Sequence, residues 1–143
     1  MGLQPNLGVP KLQKFATLIF LSFTTSFAMA ADAPRLPLDA KKLKTAEIEA
    51  IYNDKTLSGE YYGGKALITW TSTNSTVKHT VNGTWNSSDG SKGTTYFKYA
   101  TKNDKWCVTA KGSKKESCVD IYADATYGYE VKKGVVATRY KLH

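Results

Sequence analysis

The chain has 143 residues and carries 20 lysines and arginines against 12 aspartates and glutamates, a formal net charge of +8 at pH 7. A chain of this length suits one domain with one modest hydrophobic core. Lysine supplies nearly all of the basic charge, since Arg35 and Arg139 are the only arginines, and scattered lysines without an arginine cluster argue against a nucleic-acid partner.

The first 30 residues have the layout of a cleavable secretory signal peptide. Lys11 and Lys14 precede a 13-residue, mainly apolar run, and Ala28-Met29-Ala30 then offers small side chains at the two positions that a signal peptidase reads. A membrane anchor is the alternative, but a spanning helix needs about 20 apolar residues. We expect cleavage after Ala30, a periplasmic or secreted location, and no transmembrane segment in the mature protein. The mature chain would keep 18 basic and 12 acidic residues, a net charge of +6.

Two segments open the mature chain. Residues 31–38 contain two prolines and predict an extended leader. Residues 39–53 predict one short helix, and its apolar side chains can share one face. These side chains are Leu43, Ile48, Ile51 and Tyr52. A shorter helix that begins at Ala46, with Thr45 as its cap, is the alternative. Residues 39–143 as a whole are expected to form a single β-rich domain.

From residue 55 onward the sequence predicts many short antiparallel strands. Thr, Val, Tyr and Trp are frequent, and clusters of Gly, Asn, Asp and Ser interrupt them every eight to twelve residues, one predicted turn being 73–75. The predicted strands are 66–72, 76–81, 83–86, 94–101, 106–110, 118–122, 127–131 and 135–140. About eight strands after one short α-helix indicate a mainly β fold, either a small lipocalin-like antiparallel β-barrel or a sandwich.

The two cysteines predict a disulfide within one hairpin. If Gly112 and Ser113 form a two-residue type II′ turn, the numbers of paired residues sum to 225, so Cys107 lies opposite Cys118. That separation suits a disulfide, and an oxidising compartment favours its formation. The other face of this hairpin collects four predicted core residues: Trp106, Val108, Val119 and Ile121.

Few side chains suit catalysis. His143 is the last residue, and no serine-nucleophile, zinc-peptidase, C-x-x-C or EF-hand motif occurs. His79 shares a face of the predicted strand 76–81 with Val77 and Val81, which makes it a candidate general base or, as is more common, a hydrogen-bonded structural residue. With two histidines and a cysteine pair committed to a disulfide, we expect no catalytic residue, no metal site and no cofactor.

The aromatic side chains give the strongest indication of binding. Four of the five phenylalanines lie in the predicted signal peptide, so the mature domain relies on Tyr and Trp, which suit sugar stacking and protein contacts. We expect Trp70, Trp85 and Trp106 in the core. The candidate ligand-binding set joins His79 to four tyrosines near glycines. It comprises Tyr61, Tyr62, His79, Tyr127 and Tyr129.

A series of short motifs runs along the mature chain. Its members are Leu43-x-x-Ala46-Glu47-x-x-x-x-Tyr52, Lys55-Thr56-x-x-Gly59, Gly83-Thr84-Trp85, Trp106-Cys107 and Cys118. The series resembles the domain of unknown function 995 family, a group of uncharacterised proteobacterial secreted proteins, over about residues 38–142. The resemblance implies a β-domain of the proteobacterial envelope or exterior. It implies no catalytic residue, because none is established for that family.

Three hypotheses of function follow from the sequence. The first is a secreted or periplasmic, non-catalytic binding module for a glycan, a small amphiphile or an envelope protein. The second is a cell-envelope hydrolase that uses His79 with a nearby carboxylate. The third is a structural or stress-response envelope protein. In each case the basic charge favours an anionic glycan, a lipid head group or an envelope protein as partner, and we expect a monomer.

Overall fold

A computed structural model describes residues 33–143, and the predicted signal peptide with its cleavage site lies outside these residues. The described part of the chain has one helix and nine strands. In chain order they are β1 (Lys41–Lys42), α1 (Thr45–Tyr52), β2 (Thr56–Tyr61), β3 (Ile68–Ser75), β4 (Thr80–Ser87), β5 (Lys92–Lys102), β6 (Lys105–Ala110), β7 (Glu116–Ala123), β8 (Tyr127–Lys132) and β9 (Val135–Lys141).

Strands β2 to β9 form a closed antiparallel barrel. Each strand pairs with the next one along the chain, and β9 returns to pair with β2, for example at Glu60 and Arg139. The additional strand β1 pairs with the end of β7, where Lys42 lies opposite Tyr122. The predicted mainly β fold is confirmed, and of its two alternatives the structure has the barrel. Closure leaves the barrel without exposed strand edges.

Side chains alternate between the inside and the outside of the barrel, as the period of two along a strand requires. Trp70 of β3 is half-buried inside, whereas its neighbours Thr69 and Thr71 are exposed outside. One cluster of buried side chains fills the interior next to the helix. Its members are Ile48, Tyr52, Leu57, Val81, Tyr99, Trp106, Ile121 and Tyr140. The predicted core residues Val108 and Val119 pack against this cluster and are partly buried.

The helix is shorter than the predicted 39–53, because the residues before it are used elsewhere. Lys41 and Lys42 form β1, and the Leu43 amide donates to the Ile121 carbonyl at 2.8 Å. Thr45 is the first helical residue and not the cap. Its amide and its hydroxyl both donate to Oδ1 of Asp104, at 2.7 and 3.0 Å, so the turn between β5 and β6 supplies the helix cap.

The cysteine hairpin has the predicted register. Cys107 lies opposite Cys118 with the Cα atoms 4.0 Å apart, and the two residues form the predicted disulfide. The predicted two-residue turn is wrong. The connection covers residues 111–115, and the Ser113 amide donates to the Ala110 carbonyl, which places Gly112 third in the turn with φ +78°. The alternation of inward and outward side chains along the two strands and the disulfide both require this register, although the loop is longer than predicted.

The segment between β3 and β4 also differs from the prediction. Residues 73–75, which are predicted to be a turn, belong to β3. The turn comes later, at residues 76–79, which are predicted to be the first part of the strand 76–81. The reason is Asn74, which is 3 % exposed and donates its amide to the Tyr52 carbonyl at 2.9 Å. This buried contact keeps Asn74 in the barrel wall although asparagine is common in turns. Strands β1 and β2 were not predicted.

A second cluster of buried side chains lies on the outside of the barrel. Tyr129, Val131 and Val136 form it, and Leu36 and Ala40 of the N-terminal segment pack against it. A bulge between Glu130 and Val131 shifts the register of β8 on β9. The segment that is predicted to be an extended leader therefore packs on the barrel over part of its length, through Leu36. Residues 34–37 have no regular secondary structure.

The antiparallel order places the loops at two opposite ends of the barrel. The helix end comprises α1 and the turns 76–79, 103–104 and 124–126. The distal end comprises the loops 62–67, 88–91 and 111–115 and the turn 133–134. Among the described residues, no helix has the length and apolar character needed to cross a membrane.

Candidate functional site

The outer surface of the barrel carries two shallow, adjoining depressions, which together we call the outer groove. Their volumes are about 200 and 290 Å³, and they share Ser58, Gly59 and Thr69. The first is also lined by Trp70, Thr71, Thr84 and Asn86, and the second by Glu60, Tyr127, Arg139, Tyr140 and Lys141. The outer groove thus runs across β4, β3, β2, β9 and β8. Adjacent strands lie about 4.8 Å apart, so its length is on the order of 20 Å.

One half of the outer groove is a row of small polar side chains. Alternation turns the hydroxyls of β2 and the threonines of β3 outward, and the register places them opposite each other. Ser58 Oγ lies 2.8 Å from Thr71 Oγ1. On the far side Thr69 donates to the Asn86 carbonyl at 3.4 Å. This half offers hydroxyl and amide groups at the spacing of the strands, which suits a ligand with many hydroxyls.

The other half of the outer groove is built around Arg139. Nη2 of Arg139 lies 3.0 Å from Oε2 of Glu60, because β9 and β2 pair these two residues. The guanidinium also lies over the Tyr127 ring, 5.0 Å from its centroid. The Tyr62 hydroxyl donates to the same carboxylate oxygen of Glu60. An aromatic ring, a cation and a carboxylate thus converge where β8, β9 and β2 meet.

The charges of this half stay fixed near neutral pH. The hydrogen bond from Tyr62 and the neighbouring Arg139 lower the pKa of the Glu60 carboxyl, although partial burial opposes them. Burial and the bond to Glu60 raise the pKa of Tyr62 to about 12. Glu60 is therefore ionised and Tyr62 protonated at pH 7. Neither group is tuned to exchange a proton at that pH, which suits binding better than acid–base catalysis.

Tyr129, one of the predicted ligand-binding residues, lies next to Tyr127 but is buried and does not line the outer groove. It is 3 % exposed, and its hydroxyl donates to Oδ2 of Asp124 at 2.7 Å. Asp124 accepts a further bond, 2.7 Å long, from the Tyr127 amide through Oδ1. The rings of Tyr127 and Tyr129 lie 6.4 Å apart. Tyr129 and Asp124 together fix the start of β8 and hence the position of Tyr127.

The predicted ligand-binding residues are not all brought together. Tyr62 and Tyr127 lie on either side of the Glu60–Arg139 pair, but Tyr61 is at the distal end and 37 % exposed. His79 is exposed in the turn at the helix end, with φ +51°, and its ring lies 6.2 Å from the Tyr99 ring. The prediction that His79 shares an apolar face with its neighbours is wrong, because Val77 is 89 % exposed in the same turn.

The half-buried Glu130 turns its carboxyl group toward the inside of the barrel, and the sequence analysis does not predict it. Oε1 of Glu130 accepts a bond from the Tyr52 hydroxyl at 3.3 Å. Burial raises the pKa of Glu130, while bonds from Thr138 and Tyr52 oppose the shift. The nearby Tyr140 hydroxyl is also buried, and it makes no hydrogen bond of standard geometry within residues 33–143. Burial raises the pKa of Tyr140, and the Tyr52 hydroxyl lies close enough to oppose this shift. Packed side chains surround this cluster, which places it in the structural core.

The described part of the chain has one cluster of side chains that could in principle ligate a metal ion, and the disulfide accounts for it. Ligand atoms of Cys107, Glu116 and Cys118 lie within 4.8 Å of one another. The two sulfurs are bonded to each other, so neither is a thiolate that would coordinate a metal. Glu116 forms an ion pair with Lys102. The arrangement is that of a stabilised hairpin.

Comparisons with protein-family models, with curated proteins and with solved structures give no match. The resemblance to the domain of unknown function 995 family stays a prediction. The functional assignment therefore rests on the geometry of the outer groove.

Proposed function

We propose that this protein is a secreted or periplasmic, non-catalytic binding module whose ligand is a glycan held in the outer groove. The observation that carries the proposal is the pair of adjoining shallow depressions across five strands, with polar side chains in one half and the Tyr127–Arg139–Glu60 cluster in the other. Shallow grooves of this composition suit an extended ligand better than a small apolar one.

The chemistry of the groove matches that of a sugar chain. Ser58, Thr69 and Thr71 offer groups that both donate and accept hydrogen bonds, as sugar hydroxyls also do. Arg139 donates and Glu60 accepts, and their ion pair orients both groups. The Tyr127 ring provides an apolar surface of the kind on which sugar rings stack. Fixed charges and the lack of a group that titrates near pH 7 in this set favour binding without catalysis.

A small amphiphile inside the barrel is less well supported. The interior at the helix end is filled by the stacked rings of Tyr52, Trp106 and Tyr99, with centroid distances of 3.9 and 4.5 Å. Trp85 covers Gly93, so that a methyl group there would lie 2.7 Å from the indole. These contacts leave the outer surface as the better place for a ligand.

The experiment is a glycan array with neutral and acidic oligosaccharides, followed by calorimetric titration of the soluble oligosaccharide that binds best. Tyr127→Ala and Arg139→Ala are expected to weaken binding by at least about tenfold, as loss of an anchor residue does. Tyr96→Ala is the matched control. Tyr96 is also an exposed tyrosine of the outer surface, 42 % exposed, with the Lys111 ammonium 6.0 Å from its ring centroid.

Two outcomes would contradict this proposal. One is a folded protein that binds no member of the array. The other is equal loss of affinity in Tyr127→Ala and Tyr96→Ala, which would place the ligand elsewhere. The hydrolase hypothesis has its own test, in which the protein is incubated with cell-wall and ester substrates. Turnover that His79→Ala abolishes and Tyr127→Ala retains would replace the binding module by an enzyme.

A further inference from the structure

The distal end of the barrel carries a concentration of lysines. Seven exposed lysines lie on its loops or at the adjoining strand ends. They are Lys65, Lys92, Lys111, Lys114, Lys115, Lys132 and Lys133. Two acidic residues stand among them, and Glu116 is already paired with Lys102, while Asp89 accepts bonds from Ser91 within its own turn. The distal end therefore has a strong net positive charge.

The helix end has a different charge balance. Counted in the same way, over its loops and the adjoining strand ends, it has only a small excess of lysines. The lysines are Lys41, Lys42, Lys44, Lys55, Lys78, Lys102, Lys105 and Lys141, and the acidic residues are Glu47, Glu49, Asp54, Asp104, Asp120 and Asp124. The larger basic excess therefore lies at the distal end. An anionic surface would attract the distal end and orient the molecule along the axis of the barrel.

Apolar side chains are exposed among the distal lysines. Leu67 is 40 % exposed at the end of the loop 62–67, and Val135 is 60 % exposed directly after the turn 133–134. The Ser88 amide donates to the Leu67 carbonyl at 2.8 Å, which ties two distal loops together. Lys132 Nζ reaches Ser117 Oγ at 3.3 Å and ties β8 to β7. The distal end therefore exposes apolar side chains on or next to the loops that carry the lysines.

We propose that the distal end docks on a membrane surface that contains anionic phospholipids. The lysines would contact the phosphate groups, and Leu67 and Val135 would enter the boundary between the head groups and the acyl chains. A soluble anionic polysaccharide would engage the same lysines but would not require the two exposed apolar side chains. Docking in this orientation leaves the outer groove on the side of the barrel, where it stays accessible. The inference is independent of the glycan proposal.

The experiment is co-sedimentation of the purified protein with vesicles of phosphatidylcholine alone or mixed with phosphatidylglycerol. Binding is expected only to the mixed vesicles and is expected to weaken as salt rises, because the charge component is screened. The combined variant Lys114→Glu, Lys115→Glu, Lys133→Glu is expected to bind about a hundredfold more weakly, from the usual contribution of each lysine near an anionic surface. Leu67→Ser combined with Val135→Ser is expected to lose the binding that remains at high salt.

The matched control reverses three lysines away from the distal end, by Lys41→Glu, Lys55→Glu and Lys78→Glu. All three are exposed, so both triple variants change the net charge equally. The proposal predicts that the control variant keeps most of its binding. Equal loss in the two variants would mean attraction by net charge without a defined docking surface, and would overturn it. Binding to a soluble polyanion such as heparin, without binding to the mixed vesicles, would overturn it in favour of an anionic glycan.

Discussion

The Tyr52 ring stacks on the Trp106 indole with the ring centroids 3.9 Å apart. Tyr52 is the last residue of α1 and Trp106 lies in β6, so this contact joins the helix to the barrel wall. Trp106 also stacks on Tyr99 at 4.5 Å, and Tyr52 meets the Tyr140 ring edge to face at 5.5 Å. The position of the helix therefore depends on an aromatic cluster at the centre of the core.

Truncation of Tyr52 is expected to destabilise the fold strongly. Tyr52→Ala should lower the free energy of unfolding by about 3–5 kcal/mol, because it leaves a cavity beside Trp106 and Tyr140. Tyr52→Phe keeps the ring and removes the bond to Glu130, so its effect should be about 1 kcal/mol. Chemical denaturation measures both values. A loss in Tyr52→Ala no larger than in the surface variant Tyr96→Ala would contradict the central role of this cluster.

Glu130 is expected to make stability depend on pH. Burial raises its pKa in the folded state above the ordinary value of 4.5, so the folded protein holds the proton more tightly than the unfolded chain. The contribution of this group is favourable below about pH 4.5, where Glu130 is protonated in both states, and is lost as the pH rises through the folded-state pKa. Glu130→Gln should remove this component. The measurement is the difference in unfolding free energy between wild type and Glu130→Gln as a function of pH, and a flat difference would contradict the prediction.

The Asp104 cap is expected to show the opposite pH dependence. Hydrogen bonds from the Thr45 amide and hydroxyl lower the pKa of this carboxyl, so its contribution is present above the ordinary value of 3.8 and is lost as the pH falls through the folded-state pKa. Asp104→Ala should lower the melting temperature at pH 7 and should differ less from wild type in acid. The melting temperature of Asp104→Asn, which retains an acceptor, should lie between those of wild type and Asp104→Ala. Equal melting temperatures of wild type and Asp104→Ala at pH 7 would show that the cap is dispensable.

The Cys107–Cys118 disulfide is expected to act on stability alone. Its Cα atoms lie opposite each other across the hairpin, on the outer face of the barrel. The double variant Cys107→Ala, Cys118→Ala should lose roughly 2–4 kcal/mol of unfolding free energy, in line with the chain-entropy model. Its affinity for the ligand of the outer groove should not change while it remains folded. Loss of binding at unchanged stability would instead assign the cysteines a functional role.

The sequence predicts the parts of the fold in which local pattern and tertiary structure agree. In the hairpin of β6 and β7, strict alternation and the cysteine pair define the same register, so the pairing of Cys107 with Cys118 follows even though the turn was wrong. The pattern fails at Asn74, where a residue typical of turns is held in β3 by a buried bond to the Tyr52 carbonyl. It also fails at β2, where Gly59 weakens the strand pattern and closure onto β9 is a non-local pairing.

The sequence predicts the candidate site only in part, because half of the site depends on the non-local pairing that closes the barrel. The sequence identifies Tyr62 and Tyr127 as candidates because the mature domain relies on Tyr and Trp and because both tyrosines lie near glycines. Arg139 and Glu60 are 79 residues apart in sequence, and only the closure of the barrel brings them together. Once closure is assumed, alternation along β9 and β2 turns both side chains outward, which is the signal that would have found them. The prediction misplaces His79 because it assigns residues 76–79 to a strand, whereas they form a turn.

The most direct test of the outer groove is amide NMR mapping of the protein with the soluble oligosaccharide selected by the glycan array. The amides of Ser58, Thr69 and Thr71 and those of Tyr127 and Arg139 should shift as the oligosaccharide is added. The amides of the distal loops 111–115 and 133–134 should remain unchanged. Shifts confined to the distal loops or to the interior around Glu130, with the groove amides unmoved, would contradict glycan binding in the outer groove.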